Sequence, residues 1–516
     1  MITVTTLRAS APDPAHGGED GAVAGTETTG RTGRIARIGG GLVGYLVFVE
    51  FTSGVLQGYY VPLLTDIARY LDVNDADVNW LEAAQLMLSA IAVPVLAKLG
   101  DLHGHRRVLL WSAVVVAVST VVLAFANSFP LFLIAWALQG MYVVWLPLQV
   151  ALIWDRSRRT PGAAGRTRRA TGLIVAALQA GAIVGALAGG QIGQSLGDAF
   201  WFVLIAPLLL VVGVCVVVAL RVPESEDRTG GSIDATGAAL LSLVLLVITG
   251  GLSFVRLNED ALWPWAVTAT GLLLLAPFVR YELRQDDPLV DFRVLASKAM
   301  WPVQLTAGLF GVSVLGAQGP LSTFARTDPD VYGYGLGLTT SQVSVVIGAY
   351  VISMLIGASQ FSRVSRLSTP RRTLIGAATL TGTGYLLLVP FHDTLAQVLA
   401  CIAIAGLGSG ALVAALPAAA AAAAPVGRTA VATGLTNTTK VLGGSFASAA
   451  FAIALASGAP LLTDGSVGTA GSLSGYLTVW VVCGTTALLA ALALLVVPKL
   501  AFSDPSAVDP AEESRA

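Results

Sequence analysis

Residues 476–498 read YLTVWVVCGTTALLAALALLVVP, 23 residues without a charged side chain. At about 1.5 Å of rise per residue, such a run crosses the roughly 30 Å hydrocarbon core of a bilayer as a single helix. Its apolar character is continuous rather than alternating, which excludes a barrel strand. Residues 108–127 and 202–220 repeat the pattern. Outward from these runs, the whole chain of 516 residues is 55% hydrophobic and 12% charged, with a mean hydropathy of +0.76. Soluble globular chains carry about 25% charged residues. The sequence is that of an all-α integral membrane protein.

The chain holds fourteen candidate spans, centred near Phe51, Ser89, Ala117, Tyr142, Gly181, Leu210, Leu243, Leu272, Leu309, Val351, Leu380, Ala405, Ser445 and Leu488. The breaks between them are too short for a soluble domain. Charge tests the count, because Lys and Arg accumulate on the cytoplasmic side of membrane proteins. With a cytoplasmic N-terminus and strict alternation, the 30 Lys and Arg divide into 26 inside, three outside (Arg69, Arg256, Arg326) and one in the membrane (Lys440). Clusters such as Arg156, Arg158, Arg159, Arg166, Arg168 and Arg169 all fall inside. Both termini are therefore expected in the cytoplasm, with the protein in the cytoplasmic (inner) membrane.

Residues 1–36 are polar and rich in Gly and Thr, without the apolar centre of a signal peptide, and are expected as a disordered tail, as are residues 500–516. The three cysteines (Cys215, Cys401, Cys483) lie inside apolar runs and give neither a disulfide framework nor a metal spacing. The four histidines (His16, His103, His105, His392) all fall outside the spans. With no nucleotide-binding Gly-Lys-Ser/Thr motif, neither an ATP-driven pump nor a membrane-embedded enzyme is favoured. No metal, cofactor or nucleic-acid partner is expected.

The loop after span 2 reads Lys98-Leu-Gly100-Asp101-Leu-His103-Gly104-His105-Arg106-Arg107. A carboxylate beside a cluster of cations at a helix end can grip neighbouring helices in one conformation and release them in another. The loop resembles the signature Gly-x-Leu-Ala-Asp-Arg-x-Gly-Arg-Arg of the major facilitator superfamily, with Asp101, Gly104 and Arg106 in matching positions and Leu102 and His105 in place of basic residues. In span 5, Gly172, Gly181, Gly185, Gly189 and Gly190 match the glycine spacing of the antiporter motif of drug-exporting facilitators, with Ala186 where that motif has proline. Glycines three and four apart make a smooth face for close helix approach. Small residues recur in span 13 at Gly443-Gly444, in the matching place of a second block.

Fourteen spans and the stretch Asp287-Pro-Leu-Val-Asp291 are similar to the drug:proton antiporter branch of that superfamily. The resemblance implies two six-helix bundles (37–222 and 297–499) with two extra helices between them (223–296). It also implies a gating loop at Gly100, Asp101, Gly104, Arg106 and Arg107. One departure bears on coupling: span 4 of the family carries Arg-x-x-Gln-Gly, and here Trp136 precedes Gln139-Gly140.

Charge inside a span is costly, by several kcal/mol for a bare carboxylate, and marks function by default. Glu50 near the middle of span 1 is expected to line a watery cavity or to be protonated. Glu82 in span 2 and Lys440 in span 13 complete the candidates for proton coupling; the alternatives are that Glu82, about a turn inside the outer end of its span, simply reaches water, and that Lys440 is the structural partner of a buried acid. Gln139, Tyr142, Leu146 and Gln149 form a polar and aromatic stripe at helical spacing along span 4. The resemblance places spans 1, 4, 9 and 12 around the cavity, which adds Gln57, Trp136, Gln304 and Gln318 to the substrate candidates; helix–helix glue is the other reading of the stripe. The expected function is export of an amphiphilic small molecule by alternating access, in exchange for protons and by a monomer. An uptake carrier without proton coupling is the alternative.

Overall fold

The computed structural model describes residues 26–157, 163–196, 199–224, 234–257, 261–285, 288–297, 299–423, 429–458 and 468–496. The expected C-terminal tail and Asp287 lie outside them, as do the side chains of Arg158, Arg159, Arg166, Arg168 and Arg256. The expected N-terminal tail is helical from Thr26, where the helix of span 1 begins.

Eleven helices among the described residues are long and apolar enough to cross a membrane: Gly41–Tyr70, Val78–His103, His105–Phe125, Phe129–Arg156, Arg169–Ser195, Phe200–Arg221, Ala235–Val255, Thr340–Leu367, Leu395–Pro417, Ala432–Ala456 and Leu473–Leu495. They contain spans 1 to 7, 10 and 12 to 14. The helix Trp263–Glu282, the pair Trp301–Phe310 and Gln318–Arg326, and the helix Pro370–Leu387 stand in the places of spans 8, 9 and 11. Every one of the fourteen expected centres falls on a helix. Trp111 (71% exposed) and Leu209 (81% exposed) show the outward apolar surface that lipid covers.

Spans 1 to 6 enclose one apolar core around Leu46, Phe132 and Trp145, and spans 9 to 14 enclose another around Phe310, Phe324 and Trp480. Spans 7 and 8 pack on each other, and their apolar face rests on Met87 and Ile91 of span 2 and on Leu442 and Phe446 of span 13. They cover the seam where the halves meet.

Lipid tails are as apolar as the helices, so helix association in a membrane depends on close packing rather than on the hydrophobic effect. Span 5 shows how. A Cβ on Gly181 would lie 2.1 Å from the carbonyl oxygen of Phe51, one on Gly185 2.5 Å from that of Val55, and one on Gly189 2.0 Å from that of Tyr59. Span 1 answers with Gly54 and Gly58, against the carbonyl oxygens of Leu178 and Ala182. The other two motif glycines differ. Gly190 faces Ser344 of span 10, and Gly172 fronts open space. Spans 9 and 13 repeat the arrangement in the second half: Gly311 lies on the carbonyl of Lys440 and Gly443 on that of Gly308.

Candidate functional site

The halves are tied together on one face of the molecule. Asp66 at the end of span 1 takes an ion pair from Arg326 of span 9 at 2.7 Å and a hydrogen bond from the Thr340 hydroxyl of span 10 at 2.8 Å. Ser322 donates to the carbonyl of Val61 at 2.6 Å, and the Asp75 amide donates to the carbonyl of Thr469 at 2.9 Å. Asp75 itself is held by Arg69 at 2.7 Å; burial raises its carboxyl above the usual range in spite of that arginine. Further along the spans, Leu86 and Ala90 pack on Val441, and Ser445 donates to the carbonyl of Ala83 at 2.8 Å. Toward the opposite face, Gly172 of span 5 and Gly434 of span 13 both front open space. These bonds between the halves gather at the face of loops 71–77 and 327–339, the closed face, and the face of loops 100–107 and 368–369 lies at the opposite end of the spans.

Beneath the closed face lies a cavity of about 70 Å³ between the halves, lined by Gln57, Tyr60, Glu82, Gln85, Trp136, Gln139, Tyr142 and Gln318 among others. Gln57, Trp136, Gln139, Tyr142 and Gln318 are among the expected substrate residues, and Glu82 joins them. Gln139 donates to the Tyr60 hydroxyl at 3.1 Å and to Thr120 at 2.9 Å; Gln85 donates to the Tyr142 hydroxyl at 3.0 Å. Trp136 stacks on Phe132 and meets Tyr60 edge-on, and its Nε1 has no hydrogen-bond partner. Drug-sized ligands need roughly 300–1,000 Å³. In this conformation the cavity is contracted around water-sized space.

Glu50, Gln149 and Gln304 stand elsewhere. Glu50 is 1% exposed and does not line this cavity. It accepts a hydrogen bond at 2.6 Å from Nε2 of Gln149, whose own Oε1 has no partner. Span 4 is α-helical to Gln139, 3₁₀ over Gly140–Val144 and α-helical again from Trp145. The stripe divides along the length of the span, with Gln139 and Tyr142 at the cavity and Gln149, ten residues beyond Gln139, against Glu50 of span 1. Gln304 is buried in the second half and donates to Thr436 at 2.8 Å. Lys440 lines a separate void of about 50 Å³ with Phe310, Pro417, Thr433, Thr436 and Asn437.

The loop expected to gate is bonded within its own half. Gly104 sits at φ +104°, a backbone shape that favours glycine, and ends span 2 where span 3 starts. Asp101 pairs with His105 at 3.1 Å. Arg106 donates from its side chain to the last carbonyls of span 6, Val218 and Ala219, where the helix dipole favours a cation. Its amide donates to Glu224 at 3.1 Å, and Arg107 lies 3.7 Å from the same carboxylate. Gly100 packs against His105 and Leu148. Glu224, Gln85 and the Asp66–Arg326 pair escape a reading of the sequence, because each owes its place to a partner distant along the chain. Of the Asp287–Asp291 stretch, Asp291 caps a short helix by accepting from the amides of Arg293 and Val294, and Val290 donates its amide to Glu282.

Two apolar helical cores meet at a seam that is bonded on one face and holds a small cavity lined by glutamine, aromatic and aliphatic side chains. The sequence model of the Major Facilitator Superfamily matches residues 46–448, and the chain belongs to that family of membrane transporters. It is 26% identical over 394 residues to the multidrug efflux pump LfrA of Mycolicibacterium smegmatis, covering 75% of this chain and 74% of that one. It is 29% identical over 242 residues to the uncharacterized MFS-type transporter YwoD of Bacillus subtilis, and there the match covers 46% of this chain and 51% of its relative. A crystal structure of the peptide transporter POT in complex with sulfate superposes with a TM-score of 0.65 at 16% identity, over 89% of this chain and 95% of that one.

Proposed function

We propose that this transporter exports amphiphilic small molecules in exchange for protons, its bundles (37–222 and 297–499) rocking about the central cavity. The observation that carries the reading is the one-sided closure of the halves over a cavity rich in glutamine and aromatic side chains and poor in fixed charge. Such walls suit a bulky amphiphile better than a sugar phosphate or an inorganic anion. The likeness to a multidrug efflux pump supports the same reading. The opposite face carries Arg106, Arg107, Arg371 and Arg372, and by the positive-inside rule it is the cytoplasmic one. The closed face is then the outer one.

Protons are exchanged at Glu50, with Glu82 as the cavity's own carboxyl group. A neutral Glu50 supplies the one donor that Oε1 of Gln149 lacks. An ionised Glu50 leaves that acceptor unmatched. Rearranging spans 1 and 4 thus changes the affinity of Glu50 for its proton, which is the differential binding that coupling requires. The test is efflux of a panel of dyes from an efflux-deficient bacterium expressing the full chain, before and after collapse of the proton gradient. Extrusion that stops on collapse supports the proposal; no extrusion by well-expressed protein overturns it.

Trp136 favours a second reading, an uptake carrier without proton coupling. It stands where the family has arginine, wedged between Tyr60 and Phe132. Uphill accumulation of substrate, insensitive to the proton gradient, would select it.

A further inference from the structure

The span segments of the second half contain no Asp or Glu: within residues 301–496 the acidic residues are Asp328, Asp330, Asp393 and Asp464, and none falls within a candidate span. Yet span 13 carries Lys440. It sits one residue before Val441, where the seam with span 2 closes. Among the described residues no carboxylate pairs with it. Thr433, Thr436, Asn437 and Lys440 recur at helical steps along one face and line one void of about 50 Å³ between spans 9, 12 and 13. Gln304 fixes Thr436 from behind by donating to its hydroxyl at 2.8 Å, and Thr436 donates in turn to the carbonyl of Ala432 at 2.8 Å. Gly311, in a π-helical turn of span 9, lets that span close on the backbone of Lys440 itself.

We propose that Lys440 is the anion subsite of the carrier and that the exported amphiphile bears an acidic group, a carboxylate or phenolate, that pairs with it. The inference rests on the export reading and narrows its substrate class. An ammonium ion held in the membrane without a counter-ion is costly. Lysine presents a compact charge with three donors. An arriving anion, bonded also by the side-chain amide of Asn437, offsets that cost, whereas a lipophilic cation is repelled.

The test uses the full chain in lipid nanodiscs and two fluorescent probes of one scaffold, dansylglycine and its neutral amide, dansylglycinamide. The acid should bind at least about tenfold more tightly than the amide. Lys440→Met should bring the ratio of the two affinities to about one, and Lys440→Arg should keep most of the preference. A preference that survives in Lys440→Met, or a wild-type chain that binds the acid no better than the amide, overturns the subsite. Gradient-driven efflux of the neutral dye Nile red separates the two levels: if it persists while the acid preference is absent, the subsite fails alone, and if it too is absent, the export reading fails.

Discussion

The two halves share their packing and differ in their charges. In each, the second residue of the third span is an arginine that caps the last span: Arg106 bonds the carbonyls of Val218 and Ala219, and Arg371 bonds those of Leu494 and Leu495. In each, the first and fifth spans meet glycine to backbone. Inside the membrane the first half holds two carboxyl groups, Glu50 and Glu82, and the second holds one cation, Lys440. Repeated features thus build the scaffold, and the unrepeated ones are where the proposed chemistry sits.

The comparison breaks hardest at the glycines. Gly189→Val should abolish folded protein, because its branched side chain would start 2.0 Å from the carbonyl oxygen of Tyr59. Gly308→Ala at the matching interface of the second half, with its nearest neighbour at 3.4 Å, should retain most of it, and Gly172→Ala should be silent. Fluorescence-detected size-exclusion chromatography reads all three, and equal effects would remove the motif's packing role. Next in size is Glu50→Gln, which keeps a donor for Gln149. It should lower gradient-driven efflux about tenfold while leaving downhill exchange in place, an effect of roughly 1.4 kcal/mol. Full proton-driven efflux by that variant would sink Glu50 as the carrier of the proton.

Smaller effects belong to the closed face and the loop. Asp66→Asn weakens the pair with Arg326 by about 1 kcal/mol. Labelling of a cysteine at Leu64 by a membrane-impermeant maleimide should then rise several-fold, and an unchanged rate would show that apolar packing alone holds the face shut. Glu224→Gln should lower thermal stability by only a few degrees, since the helix ends it joins keep their arginine caps; a collapse of expression would make it a structural keystone instead.

The helices were legible in the sequence, because a continuous apolar run has one solution in a bilayer: all fourteen expected centres fall on helices, and eleven of those helices are long and apolar enough to span. The helix partner of the glycine face was not, since Gly181, Gly185 and Gly189 state that something comes close without stating what. The cavity was half legible. Gln57, Trp136, Gln139, Tyr142 and Gln318 line it, but Gln149 lies too far along span 4 to reach it, and a helical wheel shows which residues share a face without showing how deep a cavity runs. Glu50 was found as an intramembrane charge, and its partner at position 149 lies 99 residues away. Glu224 and Arg326 sit in ordinary-looking helix ends, where sequence offers no reason to single them out.

The most direct test is a pair of spin-label distances measured in one preparation, between Asp72→Cys and Val331→Cys on the closed face and between His103→Cys and Leu367→Cys on the opposite face. With a transported dye and a proton gradient present, the account predicts that the first distance lengthens as the second shortens. Two distances that both stay fixed, or that lengthen together, would contradict two bundles rocking about a central site.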